Sequence, residues 1–502
     1  MQKLNTVREL IDFAAQTYAD KPAYVEQVNG EMKTVFFRQV KEDVDALETA
    51  LNARGWKGRH IGVMGVNSYG WVRAYLAALC GLGVVVPIPA DTPAEGLKTL
   101  VRTADVSVIL ADDLFAPSLK PLIETVSFSE CEALIEDGKK RIAAGDSTVR
   151  ELAPAGDDFS KIIFTSGTTG ERRGVMLSQR NMMCIATSEF IPLAGNVSIS
   201  ILPMSHAIES VCHVLVMLST GGLLYLCHSL RLFPPMVATS GADSLYIVPA
   251  LAEALLTRFR PFLDKATNLK RLICGGAPVP QALVDAYDKL GIQVMTGYGL
   301  SECAPLVSLN TRMKKDAIGM PGSYCKVRIA DDGEIQVRGE NVMKRYYKNE
   351  AATRAAFTED GWFKTGDLGR LDEDGCLYLT GRIKNLIILG NGENVSPEEL
   401  ETLAVNQIPG VRDALVTEEN QTLAIALFVE GDTGEEALAN ARASIAELNK
   451  TLPAYKRILD ARSDFNAMMA AVNEVLQSVM FPDADTAACG GDCSRCQGCG
   501  GH

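Results

Sequence analysis

Short apolar runs alternate with amphipathic stretches between residues 60 and 250 of the chain. The runs with the length of buried strands lie at residues 60–67, 84–89, 106–112, 161–166 and 245–250. Between them, residues 71–83 have apolar side chains at helical spacing. Continuous apolar strands that alternate with helices are typical of sheets covered by helices on both faces. The pattern therefore predicts layered α/β sheets in a large N-terminal domain at 1–381, with a doubly wound topology.

The character of the chain changes after about residue 310. Residues 333–339 and 361–382 are short strand-like segments separated by Gly and Asp turns. Such segments are typical of antiparallel strands. They predict a small β subdomain at about 310–381, within the N-terminal domain.

A second domain is predicted beyond this subdomain. The sequence Ser-Pro-Glu-Glu at 396–399 has the form of a helix start, with Pro in the first turn. We expect a small α+β C-terminal domain at 382–480. The residues at 481–502 form a Cys-rich tail.

The N-terminus and the most apolar run of the chain bear on the cellular location of the protein. The N-terminal 20 residues predict an amphipathic helix and lack the uncharged core and cleavage site of a secretory signal. The most apolar run, 211–227, contains a Gly-Gly break and is shorter than the roughly 20 residues that a membrane span requires. It predicts a buried helix followed by a buried strand. We therefore expect a cytoplasmic protein without a transmembrane segment.

Length and charge narrow the class of partner. With 502 residues and 47% hydrophobic residues, the chain can form more than one domain core. Its formal net charge of −13 and its pI near 5.1 argue against nucleic acid as the main partner, because nucleic-acid binders usually carry a basic surface.

The 13 cysteines fall into two groups. Nine are scattered singly from Cys80 to Cys376, as expected for reduced thiols in apolar surroundings. The other four have a C-x3-C-x2-C-x2-C spacing that suits tetrahedral zinc or an iron–sulfur cluster. They are Cys489, Cys493, Cys496 and Cys499. A disordered, thiol-rich terminus is the alternative interpretation.

The stretch FTSGTTGERRGV at 164–175 follows a predicted strand. Backbone N–H groups in a Gly-rich turn form a concave site for anions, and hydroxyl side chains add donors for phosphate oxygens. The stretch lacks the Gly-Lys-Ser/Thr ending of a Walker loop. Taken alone, such a stretch is more often a polar surface turn. The candidate phosphate ligands are Thr165, Ser166, Gly167, Thr168, Thr169, Gly170 and Arg173.

Five further blocks follow this stretch in a fixed order: LPMSHAIE (202–209), GGAPV (275–279), GYGLSE (297–302), WFKTGDLG (362–369) and GRIKNLIILGNGENVSPEELE (381–401). Together the six blocks resemble the motifs of the adenylate-forming superfamily, which contains acyl-CoA synthetases, luciferases and peptide-synthetase adenylation domains. The pattern is most similar to that of long-chain acyl-CoA synthetases. Six ordered matches make coincidence a poor explanation.

The resemblance implies a reaction in two halves. A carboxylic acid, here a medium or long fatty acid, reacts with MgATP to give an acyl-adenylate and pyrophosphate. A thiol, that of coenzyme A, then displaces AMP. The implied cofactors are ATP, Mg²⁺ and coenzyme A, and the Gly-rich loop would hold the β- and γ-phosphates of ATP.

The resemblance also implies roles for single residues around the nucleotide. Glu302 would be a Mg²⁺ ligand, and Tyr298 would offer an aromatic face to adenine. Asp367, expected on a tight turn, would accept hydrogen bonds from the ribose hydroxyls. Arg382 would contact nucleotide oxygens. Gly299 and Ser301 belong to the same site, with Ser301 as a phosphate donor.

Other implied roles concern the acyl group and coenzyme A. His206 would lie beside the acyl and adenylate sites. Lys384 would be the hinge of the C-terminal domain, which the resemblance implies to be a mobile lid. Gly392 would approach the pantetheine arm. Three residues without bulky side chains would leave room for substrate or allow tight packing of strand and loop. They are Gly275, Gly276 and Ala277. The implied catalytic residues are Thr165, His206, Glu302 and Arg382.

The sequence departs from the family pattern in two places. Arg172-Arg173 and Gln179 stand where the family usually has Pro-Lys and His. In addition, no lysine follows Lys456 in this sequence, whereas the family usually has a lysine there that reaches the substrate carboxylate. Loss of one such charge donor typically costs on the order of 10²–10³ in rate. The sequence therefore predicts impaired adenylation.

Three functions are compatible with these observations. The first is an ATP-dependent acyl-CoA synthetase. The second is a ligase that loads an acyl carrier protein instead of free coenzyme A. The third is a catalytically weakened binder of nucleotide or acyl-adenylate whose tail senses metal or redox state.

Overall fold

The structure is a computed structural model that describes residues 4–165, 173–191, 196–388, 394–407, 411–419 and 422–429. The chain divides into two compact units, Met1–Asn385 and Leu386–His502. Arg382 and Lys384 therefore belong to the end of the larger unit.

Helices and strands alternate through the larger unit. Its helices are α1 (Val7–Thr17), α2 (Phe37–Ala53), α3 (Tyr69–Ala77), α4 (Ala94–Thr103), α5 (Ala116–Leu119), α6 (Glu130–Ala143), α7 (Thr148–Glu151), α8 (Gln179–Ala186), α9 (Val214–Thr220), α10 (Phe233–Thr239), α11 (Pro249–Leu256), α12 (Arg260–Leu263), α13 (Gln281–Asp288) and α14 (Glu350–Ala355). Two π-helical segments, Ala78–Leu82 and Ile208–His213, adjoin α3 and α9.

The strands of the larger unit form three sheets. They are β1 (Pro22–Val28), β2 (Glu31–Phe36), β3 (Arg59–Met64), β4 (Gly83–Ile88), β5 (Val106–Ala111), β6 (Glu124–Ser127), β7 (Phe159–Thr165), β8 (Arg173–Ser178), β9 (Val197–Ser200), β10 (Leu223–Leu226), β11 (Ser244–Ile247), β12 (Arg271–Cys274), β13 (Gln293–Gly299), β14 (Leu306–Leu309), β15 (Met320–Pro321), β16 (Cys325–Ile329), β17 (Glu334–Gly339), β18 (Arg345–Tyr346), β19 (Phe363–Leu371) and β20 (Leu377–Arg382).

Two large mixed sheets hold the core of this unit. The nine-stranded sheet has the order β15-β14-β13-β12-β11-β9-β10-β1-β2, and the seven-stranded sheet has the order β18-β8-β7-β4-β3-β5-β6. The central strands of both sheets are parallel, and the antiparallel strands lie at their edges. The five apolar runs of the sequence lie on β3, β4, β5, β7 and β11, so the predicted α/β fold is confirmed.

The most apolar run of the sequence lies inside the larger unit. It begins in the π-helical segment, continues through α9 and ends in β10. Gly221 terminates α9 in the left-handed conformation, with φ 67°. The predicted buried helix followed by a strand is therefore confirmed. In the part of the chain that the structure describes, we find no helix long and apolar enough to cross a membrane.

A four-stranded antiparallel sheet, β16-β17-β19-β20, follows the two large sheets. Its strands lie within 325–382. Asp367 is in the middle of β19, directly opposite Arg382 of β20, and not on a tight turn as expected. The turn signal was Gly366, whose φ of 73° permits an irregularity inside the strand.

The described part of the smaller unit contains helix α15 (Pro397–Gln407) and two strand pairs. The pairs are β21 (Ile387–Ile388) with β22 (Asn394–Val395), and β23 (Val411–Glu419) with β24 (Thr422–Val429). The helix begins at the predicted Ser-Pro sequence, and the Ser396 hydroxyl accepts a hydrogen bond from the Glu399 amide. The unit is α+β, as predicted.

Candidate active site

The ends of the candidate phosphate loop are fixed by a hairpin. Strands β7 and β8 are antiparallel, and their last pair is Thr165 opposite Arg173. Residues in such a pair have Cα atoms roughly 4.5–5.5 Å apart. The loop between them, with Ser166, Gly167, Thr168, Thr169 and Gly170, lies outside the described residues. The sheet therefore fixes where this loop starts and ends.

Glu302 lies beside the base of this hairpin. It is part of a 3₁₀ turn, Ser301–Cys303, that follows β13. The Tyr346 hydroxyl donates a hydrogen bond of 2.8 Å to Glu302 Oε1. Tyr346 is on β18, which pairs with β8, and the Arg173 guanidinium lies 5.5 Å from the centre of its ring. A carboxylate, a phenol and a guanidinium are thus brought together.

Opposing effects act on the pKa of Glu302, and burial is the largest of them. Burial raises the pKa of Glu302, while the hydrogen bond from Tyr346 and the positive charge of Arg173 oppose that shift. A cation at this carboxylate would favour its charged form in the same way.

Asp367 is the centre of a second polar cluster. It is only 5% exposed. The Tyr298 hydroxyl donates a hydrogen bond of 2.7 Å to Asp367 Oδ2, and Arg382 Nε lies 3.0 Å from Asp367 Oδ1. Burial and the neighbouring carboxylate raise the pKa of Tyr298, so the phenol is a proton donor at neutral pH. The ring of Tyr298 is 8% exposed.

Gly299 and Gly275 are required by close packing of the backbone. A Cβ atom at Gly299 would lie 1.8 Å from the carbonyl oxygen of Pro305. At Gly275 it would lie 3.1 Å from the carbonyl oxygen of Gly297. This contact favours the tight-packing interpretation for Gly275. Gly276 and Ala277 are exposed, and Gly276 has a φ of 82°.

His206 is exposed on a turn whose chain is fixed from the other sheet. Asn67, which follows β3, donates to the backbone oxygens of Ser200 and Leu202 at 3.1 and 2.9 Å. Its Oδ1 accepts from the Met204 amide at 3.2 Å. The side chain of one buried asparagine therefore fixes the segment that leads to His206.

Lys384 is exposed in a 3₁₀ turn, Ile383–Asn385, at the end of the larger unit. Gly392, Arg172 and the four tail cysteines lie outside the described residues. Within the described parts of the chain, no three His, Cys, Asp or Glu side chains are grouped so that they could hold a metal ion.

Gln179, one departure from the family pattern, is a buried structural residue. Its Nε2 donates to the Leu79 carbonyl at 2.7 Å and to the Ser160 hydroxyl at 2.9 Å. Its Oε1 accepts from the Val7 amide at 2.8 Å. Gln179 therefore connects three segments of the chain and is fully hydrogen-bonded without a ligand.

Sequence reasoning missed three residues of this region: Tyr346, Asn67 and Lys161. The sequence around Tyr346 gives no reason to select it rather than its neighbour Tyr347. Lys161 did leave a signal, because it is a charged residue inside an apolar strand. Its side chain is completely buried.

Two family models match the chain. The model of the AMP-binding enzyme family matches residues 11–347, and that of the AMP-binding enzyme C-terminal domain matches residues 384–470. The chain belongs to the AMP-binding enzyme family. This confirms the resemblance to adenylate-forming enzymes that the sequence motifs carry.

Curated relatives of this AMP-binding enzyme include ligases of several acids. The long-chain-fatty-acid–CoA ligase FadD15 of Mycobacterium bovis is 28% identical over 471 residues, which cover 79% of this chain and 78% of the relative. The feruloyl-CoA synthase of Amycolatopsis sp. is 30% identical over 409 residues, which cover 76% of this chain and 79% of the relative.

Solved structures share the fold at lower identity. ATP-bound MatB from Rhodopseudomonas palustris superimposes with a TM-score of 0.76 at 22% sequence identity, covering 94% of this chain and 99% of that protein. At this identity the likeness supports the fold alone.

Proposed function

We propose that the protein converts a carboxylic acid to its coenzyme A thioester with ATP. A carboxylate oxygen attacks the α-phosphorus of ATP and pyrophosphate leaves, which gives an acyl-adenylate. The sulfur of coenzyme A, having lost its proton, then attacks the acyl carbon and AMP leaves. Membership of the AMP-binding enzyme family and the names of the coenzyme A ligases among the relatives support this reaction.

The observation that carries the proposal is the arrangement around Asp367. Tyr298 and Arg382 hold the carboxylate in one orientation, each through a different oxygen. A carboxylate has two acceptor oxygens with about four lone-pair sites in all. This fits a ribose whose vicinal hydroxyls donate to Asp367. The Arg382 guanidinium, 53% exposed, is free to contact nucleotide oxygens as well.

The triphosphate would lie at the Thr165–Arg173 hairpin. Arg173 brings a positive charge to the base of the loop, next to Glu302. Mg²⁺ usually binds through one or two carboxylates together with substrate phosphates, so a single oriented glutamate fits such a site. When bound, Mg²⁺ would neutralise charge on the phosphate oxygens. Glu302 would hold the ion, and Tyr346 would orient Glu302. Arg173 would contact phosphate oxygens.

The acid is proposed to be a medium or long fatty acid. The relatives named long-chain-fatty-acid–CoA ligase support this class, and His206 would lie beside the carboxylate end. His206 is exposed, as a residue beside a substrate has to be. Feruloyl-CoA synthase is an equally similar relative, so an aromatic acid is the competing substrate class.

A second candidate function follows from the missing lysine. Between Lys456 and His502 the printed sequence has no lysine to approach the carboxylate. In this alternative the protein binds ATP and acyl-adenylate, but the first half-reaction is slower by on the order of 10²–10³. An acyl carrier protein in place of coenzyme A is a further alternative acceptor.

The Cys-rich tail is proposed to bind zinc or an iron–sulfur cluster through Cys489, Cys493, Cys496 and Cys499. Metal analysis of the intact protein against a variant truncated before residue 481 tests this. Equal metal content in the two proteins would exclude the tail as a metal site.

A panel of acids tests the function directly. Purified protein is incubated with MgATP and fatty acids of increasing length, ferulate or no acid, and AMP release is measured with and without coenzyme A. The proposal predicts acid-dependent AMP release that requires coenzyme A for turnover. An acyl carrier protein replaces coenzyme A in a parallel series. Nucleotide binding without acid-dependent pyrophosphate release favours the weakened binder.

A further inference from the structure

Lys161 is a buried amine on the strand that leads to the phosphate loop. Its side chain is 0% exposed in β7, four residues before Thr165. Because side chains alternate along a strand, Lys161 and Thr165 lie on the same face of the sheet. Among the residues that the structure describes, no carboxylate forms an ion pair with it.

The hydrogen bonds of Lys161 fit an uncharged amine. Nζ donates to the Tyr75 hydroxyl at 2.9 Å and to the Ser210 hydroxyl at 2.7 Å. A neutral amine has two N–H groups, and these two acceptors satisfy both of them. Burial lowers the pKa of Lys161 from its ordinary value of 10.5 to about 7. The facing groups are the Tyr75 phenol, the Ser210 hydroxyl and the Cys212 thiol.

Ser210 carries the contact on to His206. Its hydroxyl accepts from Lys161 and donates to the carbonyl oxygen of His206 at 2.7 Å. The Ser210 amide donates to the same carbonyl at 3.0 Å. The Tyr75 phenol on α3, the other acceptor of Lys161, also interacts with the Ser210 hydroxyl. One chain of hydrogen bonds therefore connects β7 with the backbone of His206.

We propose that Lys161 is a positioning residue that fixes the His206 turn relative to the strand that begins the phosphate loop. This role adds a positioning residue to the proposed active site. Its effect on catalysis rests on the proposed function. Asn67 fixes the chain before His206, and Lys161 fixes it after His206 through Ser210. Lys161 lies in the seven-stranded sheet, and Asn67 follows strand β3 of the same sheet. The end of β7 at Thr165 and the His206 turn are thereby held in one geometry.

Substitution by methionine tests the proposal, because Met keeps the length of the side chain and removes the donor. Lys161→Met and Ser210→Ala are compared with Lys98→Met, which replaces an exposed lysine on α4 outside this network. Backbone hydrogen exchange of the segment 203–213 and kcat of acid-dependent pyrophosphate release are measured for each. Thermal unfolding of each variant shows whether it is folded.

A positioning role predicts several-fold faster exchange in 203–213 and a kcat about tenfold lower for Lys161→Met and for Ser210→Ala. The double variant should lose no more than either single variant, because both break one chain of contacts. Lys98→Met should change kcat less than twofold. Unchanged exchange at 203–213 in Lys161→Met, or an equal loss of kcat in Lys98→Met, would overturn the proposal. If the wild-type protein shows no turnover, the proposed function fails, and the exchange measurement still decides the structural connection.

Discussion

Tyr346 and Glu302 are joined by a hydrogen bond of 2.8 Å, although 44 residues separate them in the chain. The bond orients one oxygen of a carboxylate that burial would otherwise favour in its protonated form. Tyr346 in turn lies against Arg173, at the base of the phosphate loop. A tyrosine on an edge strand therefore connects the proposed metal ligand with the proposed phosphate site.

Removal of this hydrogen bond should weaken the metal dependence of the reaction. We expect Tyr346→Phe to need about 10–100-fold more Mg²⁺ for half-maximal activity, since outer partners of metal ligands have effects of this size. Titration of Mg²⁺ at saturating ATP measures it. Tyr347→Phe is the matched control, because its hydroxyl binds Asp105 on the surface. Equal Mg²⁺ requirements in the two variants would contradict the role of Tyr346.

The phenol of Tyr298 should matter for nucleotide binding through Asp367. Tyr298→Phe removes one hydrogen bond from Asp367 Oδ2, at a cost of about 1–3 kcal/mol for a buried polar group. We expect weaker ATP binding by about tenfold, measured by calorimetric titration. Tyr378→Phe, whose hydroxyl binds Asp372 outside this cluster, is the control. Unchanged affinity in Tyr298→Phe would show that Arg382 alone is sufficient.

Lys161 should make the unfolding free energy of the wild-type protein rise with pH. Its pKa is about 7 in the folded protein and 10.5 ordinarily, so the unfolded chain binds more protons between these values. The wild-type protein therefore gains stability as the pH rises from 7 to 10.5. We expect Lys161→Met to be more stable than wild type near neutral pH. This advantage should fall by about 4 kcal/mol between about pH 6 and pH 10.

Denaturant unfolding of both proteins across this pH range measures the difference. Lys98→Met, on the exposed face of α4, is the control and should show no such pH dependence. If the difference in unfolding free energy between Lys161→Met and wild type stays constant with pH, burial does not lower the pKa of Lys161.

Gly299 should tolerate no side chain. An added Cβ would meet the Pro305 carbonyl oxygen at 1.8 Å, and a backbone atom cannot move away as a flexible side chain can. We expect Gly299→Ala to lose more than about 2 kcal/mol of unfolding free energy. Gly96→Ala in α4, where the nearest atom is 3.5 Å away, should be neutral or stabilising by up to about 1 kcal/mol. Similar stabilities of the two variants would contradict the contact at Gly299.

The fold was predictable because its signals are local and repeated. Apolar runs such as that of β3 and the Pro397 helix start each specify one element without reference to the rest. Asp367 shows where this fails. The preceding glycine resembles a turn signal, and only the pairing of β19 with β20 shows that the carboxylate lies opposite Arg382 inside a sheet.

The residues of the proposed site that lie in sequence motifs were predictable. The residues that contact them from distant parts of the chain were not. Glu302 and Tyr298 stand in one motif. Tyr346 and Asn67 act through contacts with segments that lie 44 and more than 130 residues away in the chain. Such contacts depend on how two sheets pack, which periodicity and spacing do not encode.

The larger unit is proposed to bind a nucleotide with Asp367 at its ribose. Calorimetric titration of ATP into the wild-type protein and into Asp367→Asn tests this binding, with Asp374→Asn on an exposed turn as the control. We predict saturable binding to the wild type and to the control, and at least about tenfold weaker binding to Asp367→Asn. Failure of the wild-type protein to bind ATP, or equal affinity in Asp367→Asn, would contradict the proposal.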